Sequence, residues 1–285
     1  MSSSPPLARL PLRSLLAIVW ISTGIFSLYI ATFYGGAILA GTLEQDWNEV
    51  LPRLYEPGAI AAATMIGMHF IAGSSVLLLG PLQFITALRT RHPRLHRWTG
   101  RVYVVSALLA GIGGLAYLAL QGAVGGVVME IGFGLYGVLT VLAALQAWRH
   151  AAARRLELHR AWAIRLFALG IGSWLYRMYY GIWLKALGGA GHTGSFDGPF
   201  DMVMSFFFYV PNLLVAEYFI RRHAQPAFAL PRRVLGQAGI VALVVVLALA
   251  TWLFAHAYWL PHIGRRLAPL FAYLAHPAFG GGLHS

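Results

Sequence analysis

Two histidines, 63 residues apart, stand in matching surroundings. Leu82-Gln83, Arg91 and Leu95-His96-Arg97 return as Leu145-Gln146, Arg154 and Leu158-His159-Arg160, so that six of sixteen positions coincide between 82–97 and 145–160. Composition alone gives about one or two such matches. Each copy runs from the end of one apolar segment through a basic loop into the next, which predicts two related helical hairpins with a histidine at equal depth in each. Two imidazoles on opposing bundle helices can hold the iron of a b-type haem, and interfacial arginines would meet its propionates. On that reading His96 and His159 are the ligands, with Arg97, Arg101, Arg160 and Arg165 as cationic partners. The structural alternative makes both histidines helix-start residues bonded to backbone or lipid phosphate, and the arginines orientation and headgroup contacts. The repeat partner of His69 is Gly132, so the duplication supports one paired site. His92 and His96 have the spacing of a helical metal pair, but Pro93 lies between them. Arg91, Arg94 and Arg97 beside them would oppose a bound dication.

A second set of polar residues is buried in apolar sequence: His69, Gln83, Glu130, Gln146, Arg177, Asn212 and Glu217. Ionisable groups inside a bilayer cost several kcal/mol unless paired or hydrated, so each is a functional candidate. Counting helix rise from the segment ends puts His69, Glu130 and Arg177 in the outer half, Asn212 near the middle and Glu217 near the inner end. Gln83, Gln146, Arg101 and Arg165 mark the inner face. His69, Arg177 and Glu130 are expected to form an outer cluster, although Glu130 could instead snorkel to the surface. Glu217 is expected to pair with Arg221 or with an inner-face arginine. Tyr176, Tyr179 and Tyr180 read as an interfacial aromatic belt rather than a binding site.

The elements that must position these groups are membrane helices. The 285 residues are 59% hydrophobic and 11% charged, with a mean hydropathy of +0.68, which excludes an ordinary soluble domain. Seven continuous apolar runs are long enough to cross a bilayer, at about 14–40, 61–86, 101–121, 127–148, 161–184, 202–220 and 235–258. Continuous rather than alternating runs exclude a β-barrel. The 21 basic residues outnumber 9 acidic ones, yet they gather before the first run and in alternate loops: Arg9 and Arg13, then Arg89 to Arg101, Arg149 to Arg160, and Arg221 to Arg233. The other loops carry Glu44, Asp46, Glu49 and Glu56, then Asp197 and Asp201. This distribution predicts a cytoplasmic amino end, contact with anionic headgroups and no nucleic acid. The first run is longer than the apolar core of a signal peptide and is expected to stay as an uncleaved helix.

Residues 1–13 are expected to be disordered, 14–258 to form one membrane domain, and 259–285 an outer tail with a short interfacial helix over 264–275. Pro57-Gly58 signals a turn, and the Gly188-to-Gly198 stretch reads as a flexible outer loop. Gly67, Gly73, Gly80, Gly111, Gly113 and Gly114 would allow close helix approach. No cysteine is present, and Lys185 is the only lysine, so thiolate and most lysine-nucleophile chemistry is excluded.

The stretch His69, Gly73, Gly80-Pro81-Leu82-Gln83-Phe84, Leu88-Arg89 and His92-Pro93-Arg94-Leu95-His96-Arg97-Trp98-Thr99-Gly100-Arg101-Val102-Tyr103 resembles the bacterial predicted-membrane-protein family called domain of unknown function 2306. His159-Arg160-Ala161-Trp162-Ala163-Ile164-Arg165, Arg177 and Val210-Pro211-Asn212-Leu213-Leu214-Val215-Ala216-Glu217 resemble its later signatures, with Ala163 where the family pattern has Met. The resemblance covers about residues 60–222. It implies a recurring set of polar residues in a bacterial inner membrane and supplies no activity. The paired histidines also resemble, at one haem site, the four-helix core of the ascorbate-reducible transmembrane cytochromes b. The expected fold is thus an all-α integral membrane protein of seven transmembrane helices, with a four-helix core of two related hairpins. The leading functional expectation is a redox protein holding one haem b between His96 and His159 and exchanging electrons with quinone or another redox partner. The alternatives are a carrier or binding protein for an anionic or lipid-like substrate, with Arg177, His69 and Glu217 lining a polar path, and a non-catalytic assembly factor.

Overall fold

The computed structural model describes residues 10–223 and 231–274, with side chains over 13–221 and 236–268. Most of the expected amino-terminal tail and everything from residue 275 onward lie outside the described residues, as do the side chains of Arg222, Arg232 and Arg233. The described chain is helical, with no strand among the described residues.

Helix α1 (Leu10–Ile30) passes through a wide π turn (Ala31–Gly35) into α2 (Gly36–Ala40). The expected outer loop contains a short helix, α3 (Leu43–Val50), anchored by Trp47, which is 1% exposed and donates its indole N–H to the Tyr34 carbonyl at 3.1 Å. Helix α4 (Ile60–Leu79) ends in a 3-10 turn (Pro81–Phe84), followed by α5 (Thr86–Arg91), α6 (Pro93–Gln121) and α7 (Gly126–Ala152). Pro81 and Pro93 open their turns where the missing N–H has no partner to lose. Beyond these lie α8 (Leu156–Gly170), α9 (Gly172–Ala186), α10 (Pro199–Phe207), α11 (Val210–His223) and α12 (Pro231–Phe254). A second π turn (Ala255–Trp259) joins α12 to α13 (Leu260–Leu274).

Among the described residues, six helical stretches are long and apolar enough to cross a membrane: Arg13–Ala40, Ile60–Phe84, Pro93–Gln121, Gly126–Ala152, Pro199–Arg221 and Gly236–Ala268. The apolar run expected over 161–184 is not one straight helix. It is split at Ile171 into α8 and α9, each of 15 residues and each too short alone. Gly170 and Gly172 flank the break, and a Cβ at Gly172 would meet the Phe208 ring and carbonyl at 3.3 Å. Phe208 lies at the break between α10 and α11, where Pro211 has no N–H to continue the ladder. The two interruptions therefore meet.

Helices α4, α6, α7 and α8 pack in succession, and α8 returns to α4, closing a four-helix ring. Its interior is filled by Val76, Tyr103, Ala107, Ala144, Leu166 and Leu169. A second core sits toward the end that carries α3, where α1, α4, α9 and α12 meet around Phe26, Tyr29, Phe33, Trp174 and Trp259. Close approach is glycine-dependent where α4 crosses α6, since a Cβ at Gly113 would meet the Met65 carbonyl at 2.7 Å. Gly73, also expected to pack closely, faces open space, with nothing within 4 Å of the place a methyl group would take.

Candidate functional site

Arg177 is on α9, partly buried, and makes no hydrogen bond or ion pair with the described residues. Its guanidinium lies 5.6 Å from the centre of the Tyr176 ring. Its charge also reaches Tyr29, Tyr34, Tyr258 and His69, which places α1, α4, α9 and the second π turn around one cation. The Tyr29 hydroxyl is buried beside the Tyr34 hydroxyl. His69 is fixed by α6, its Nδ1 donating to the Ala110 carbonyl at 2.8 Å, and this leaves Nε2 as the free ring nitrogen. His69 and Arg177 are expected in one cluster, and the Arg177 charge acts on His69.

Glu130 does not complete that cluster. Its Oε1 accepts the Ala123 N–H at 3.2 Å and braces the turn between α6 and α7. The carboxylate goes to the nearest unsatisfied backbone donor on its own hairpin, a contact that helix depth alone does not reveal.

Around Tyr29 the aromatic rings form a layer. Tyr29 stacks on Phe33 at 5.3 Å, while His262 stands edge-on to Tyr29 at 5.7 Å and to Phe33 at 5.1 Å. Two of these residues, Phe33 and His262, also floor an outer cavity of about 210 Å³, whose rim is Asp46, Glu49, Arg265 and Arg266. Arg265 bonds Glu49 at 3.1 Å, His262 Nε2 lies 3.5 Å from the same carboxylate, and Arg266 bonds Asp46. These pairs clasp α13 to α3. The expected interfacial helix therefore starts at Leu260, packs on the membrane domain, and uses arginines whose role was not readable from their neighbours in sequence.

The Gly188-to-Gly198 stretch, expected to be flexible, is instead wrapped around Asp201. That carboxylate is fully buried and accepts from the Tyr180 hydroxyl at 2.6 Å, His192 Nδ1 at 2.7 Å, and the backbone N–H groups of Thr193 and Gly198 at 3.1 Å. Tyr176 and Tyr180 are each 7% exposed, so they belong to the interior rather than to an interfacial belt. Outside the spans, the Thr193 and Ser195 hydroxyls hold the Asp197 carboxyl below the usual aspartate range, and Arg53 does the same for Glu56. The signal for Asp201 was present as Pro199 and Asp201 opening a helix, but its partners come from another segment.

At the end of the bundle opposite α3, His96 and His159 are each the fourth residue of their helix, α6 and α8. Their backbone N–H groups bond His92 O at 3.1 Å and Arg155 O at 2.9 Å, so the repeat holds at the two helix starts, and their charges interact. Before the helix starts it fails. Leu82-Gln83 occupies a 3-10 turn, whereas Leu145-Gln146 continues α7. Gln83 donates to Thr99 Oγ1 at 3.1 Å, while Gln146 makes no hydrogen bond with the described residues. His159 Nδ1 donates to the Ala147 carbonyl at 2.9 Å, whereas His96 Nδ1 is buried without a partner. At Gly132, the counterpart of His69, a Cβ would collide with the Ser205 carbonyl, so α10 occupies the space that a second outer histidine would need.

Glu217 bonds Arg165 at 2.5 Å and lies 3.8 Å from Arg221, which matches both expected partners and removes it from the Arg177 path. Arg165 and Arg101 lie over the Trp162 and Trp98 rings at 4.6 and 5.0 Å. Arg97 and Arg160 are exposed. Asn212 donates to the Phe208 carbonyl at 2.8 Å and reaches toward Ala168 O at 3.5 Å, tying α11 to α8 beside the paired breaks. Among the described residues, no group of three or more His, Cys, Asp or Glu side chains is arranged to hold a metal ion.

The family described as "Predicted membrane protein (DUF2306)" matches residues 66–220, more than half of the chain. No curated protein and no solved structure matches.

Proposed function

Because the chain belongs to the predicted membrane protein family DUF2306, whose description supplies no activity, we propose its function from the site itself: it binds and carries an anion, centred on Arg177. The observation that carries this reading is a partly buried guanidinium with no hydrogen bond or carboxylate among the described residues to balance it. An unpaired intramembrane cation is costly, and a bound anion is the natural compensation. In this reading α8 and α9 together make a seventh crossing, the amino end is cytoplasmic, and the protein sits in a bacterial inner membrane. Its inner arginines touch anionic headgroups. The broken helices beside Asn212 supply the deformable part of the path. Purified protein in detergent, titrated calorimetrically with a panel of organic and inorganic anions, is expected to bind at least one saturably. Arg177→Gln is expected to abolish that binding, and an unchanged titration in the variant overturns the reading.

The paired-histidine reading, one haem b serving a quinone or other redox partner, ranks second. In its favour, the Ala147 carbonyl orients His159 as a ligand's supporting group would, and the free His96 Nδ1 has no competing bond. Against it, Tyr103 and Leu166 fill the interior two turns above the two histidines, on the same helix faces. A Soret band in purified protein, lost in both His96→Ala and His159→Ala, would restore this reading, and a colourless protein from haem-replete cells removes it.

A further inference from the structure

We propose that a groove between α3, α4 and α6 holds one acyl chain of a zwitterionic phospholipid, with the headgroup at the α3 end. The site is separate from Arg177 and does not depend on what binds there.

The first argument is the space. The groove has a volume of about 610 Å³, within the range of about 300–1,000 Å³ typical of ligand pockets. On α4 it follows one helix face through Ile60, Ala63, Gly67, Ile71 and Ser75, at spacings of three or four residues. Helix α6 runs antiparallel, with the Ala110 carbonyl at His69, so its groove residues Ser106 and Leu109 lie toward the Ser75 end. Leu43 and Tyr55 belong to the α3 end, and Trp47 forms a wall over Gly67, its Cη2 3.8 Å from where a Cβ would sit. Small residues at Ala63, Gly67 and Ala72 keep the floor low between the larger Met68 and Leu109.

The second argument is length. From Ile60 to Ser75 the groove runs about 22 Å along α4, at about 1.5 Å per residue. One leaflet, from the headgroup surface to the midplane, is about 20–22 Å deep. A lipid with its headgroup beside α3 therefore ends its chain near Ser75 and Ser106. Trp47 and Tyr55 then stand where amphipathic rings favour the membrane interface.

The third argument is what the groove adjoins. Ile60, Ile71 and Leu109 on its edges are 75%, 68% and 41% exposed, on two helices long and apolar enough to span a membrane. The groove is thus continuous with the surface that lipid covers. Its Thr64 and Ser75 hydroxyls bond the Ile60 and Ile71 carbonyls at 2.8 and 3.2 Å, and the Trp47 N–H bonds the Tyr34 carbonyl. These groups ask nothing of a ligand, which suits a saturated or monounsaturated chain. Because bulk lipid is as apolar as the groove, retention comes from shape and from the headgroup rather than from transfer out of water.

The fourth argument is charge at the headgroup end. Arg53, Arg265 and Arg266 are paired with Glu56, Glu49 and Asp46. Glu44 remains on α3 with no partner among the described residues. No cationic surplus is left there to draw an anionic headgroup, and a zwitterion is accepted without a charge penalty.

Native mass spectrometry of the full-length protein tests the proposal, after removal of lipid in detergent and addition of dioleoylphosphatidylethanolamine, dioleoylphosphatidylglycerol or an isoprenoid quinone. One phosphatidylethanolamine per chain is expected to be retained, about tenfold more tightly than phosphatidylglycerol. Ala63→Phe and Ser75→Phe, which fill the groove, are expected to abolish retention, and Val127→Phe, at an exposed position on α7, to leave it unchanged. Gly67→Ala adds a methyl group in ordinary contact with Trp47, so it keeps the fold while raising the groove floor. It is expected to weaken retention by about threefold. Equal retention in wild type, Gly67→Ala and the phenylalanine variants places the lipid elsewhere and overturns the site. Preference for phosphatidylglycerol or for the quinone overturns the occupant. A dimer that the groove variants dissociate assigns the face to a second copy of the chain and also overturns it.

Discussion

Asp201 and Arg177 are both ionisable groups placed among tyrosines, and they are treated in opposite ways. Asp201 has two side-chain donors and two backbone N–H groups on its carboxylate, and its loop is folded to supply them. Arg177 has a ring beside it and no acceptor. Burial alone does not separate structure from function, because the more deeply buried group is the structural one. Satisfaction separates them. A fully bonded charge holds the fold together, whereas an unbonded one keeps its hydrogen-bonding capacity for a ligand.

The largest expected effect breaks this comparison if it fails. Asp201→Ala strands Tyr180, His192 and two backbone donors, and is expected to cost about 3–5 kcal/mol, the scale for breaking a buried charged network. Arg177→Gln removes a charge with no partner and is expected to leave thermal unfolding in detergent unchanged or to raise it. Equal losses at the two positions would erase the distinction. An intermediate case is Glu217→Gln, which breaks a pair whose side chains are 23% and 32% exposed. Solvent screening limits that loss to about 1 kcal/mol or less, readable in the same unfolding assay. A loss as large as that at Asp201 would show that the inner pair is also part of the structural framework.

The smallest effect concerns the strap that carries Thr193 and His192 to Asp201. Asp197 is fully exposed, yet Thr193 and Ser195 lower its pKa, so folding of the strap favours the ionised carboxyl. A lowered pKa contributes stability above the ordinary aspartate value of about 3.9, and that contribution disappears as pH falls through the lowered value. Amide exchange over 193–197, corrected for its intrinsic pH dependence, is therefore expected to show less protection in acid. The Glu130-braced turn at 122–123 serves as an internal reference. Loss of protection at both turns in step would mean a global rather than a local change.

Much of the scaffold was legible because it follows from one-dimensional periodicity and charge. Apolar runs marked the helices, and counting helix rise set His69 and Arg177 in the same half of the bundle. Glu217 found the arginines expected of it because two of its candidates lay one turn away or on the same inner face. What was not legible depended on contacts between distant segments. Arg265 and Glu49 are separated by 216 positions, and nothing near either one announces the other. Asp201 looked like an outer-loop acid because its bonds come from a glycine-rich stretch that resembles a flexible linker until it closes on the carboxylate. The split at Ile171 had a visible sign in Gly170 and Gly172, but hydropathy runs through it without a change. The histidine repeat was real at the helix starts and misleading beyond them, since identical residues entered a 3-10 turn in one copy and a continuous helix in the other.

The two π turns give the clasp an additional property, one of rotational phase. Each wide turn inserts about one residue relative to an α-helix, which rotates everything beyond it by about 100°. One such insertion lies below α2 and α3, the other below α13, and the paired charges meet only beyond both. The outer end is therefore keyed by length as much as by residue type. Removing one residue from Ala31–Gly35 or Ala255–Trp259 would leave hydropathy and every charge in place, yet would turn one half of the clasp away from the other. The two wide turns act as a matched pair of teeth, and the edge-on contact of Phe33 with His262 lies where they engage.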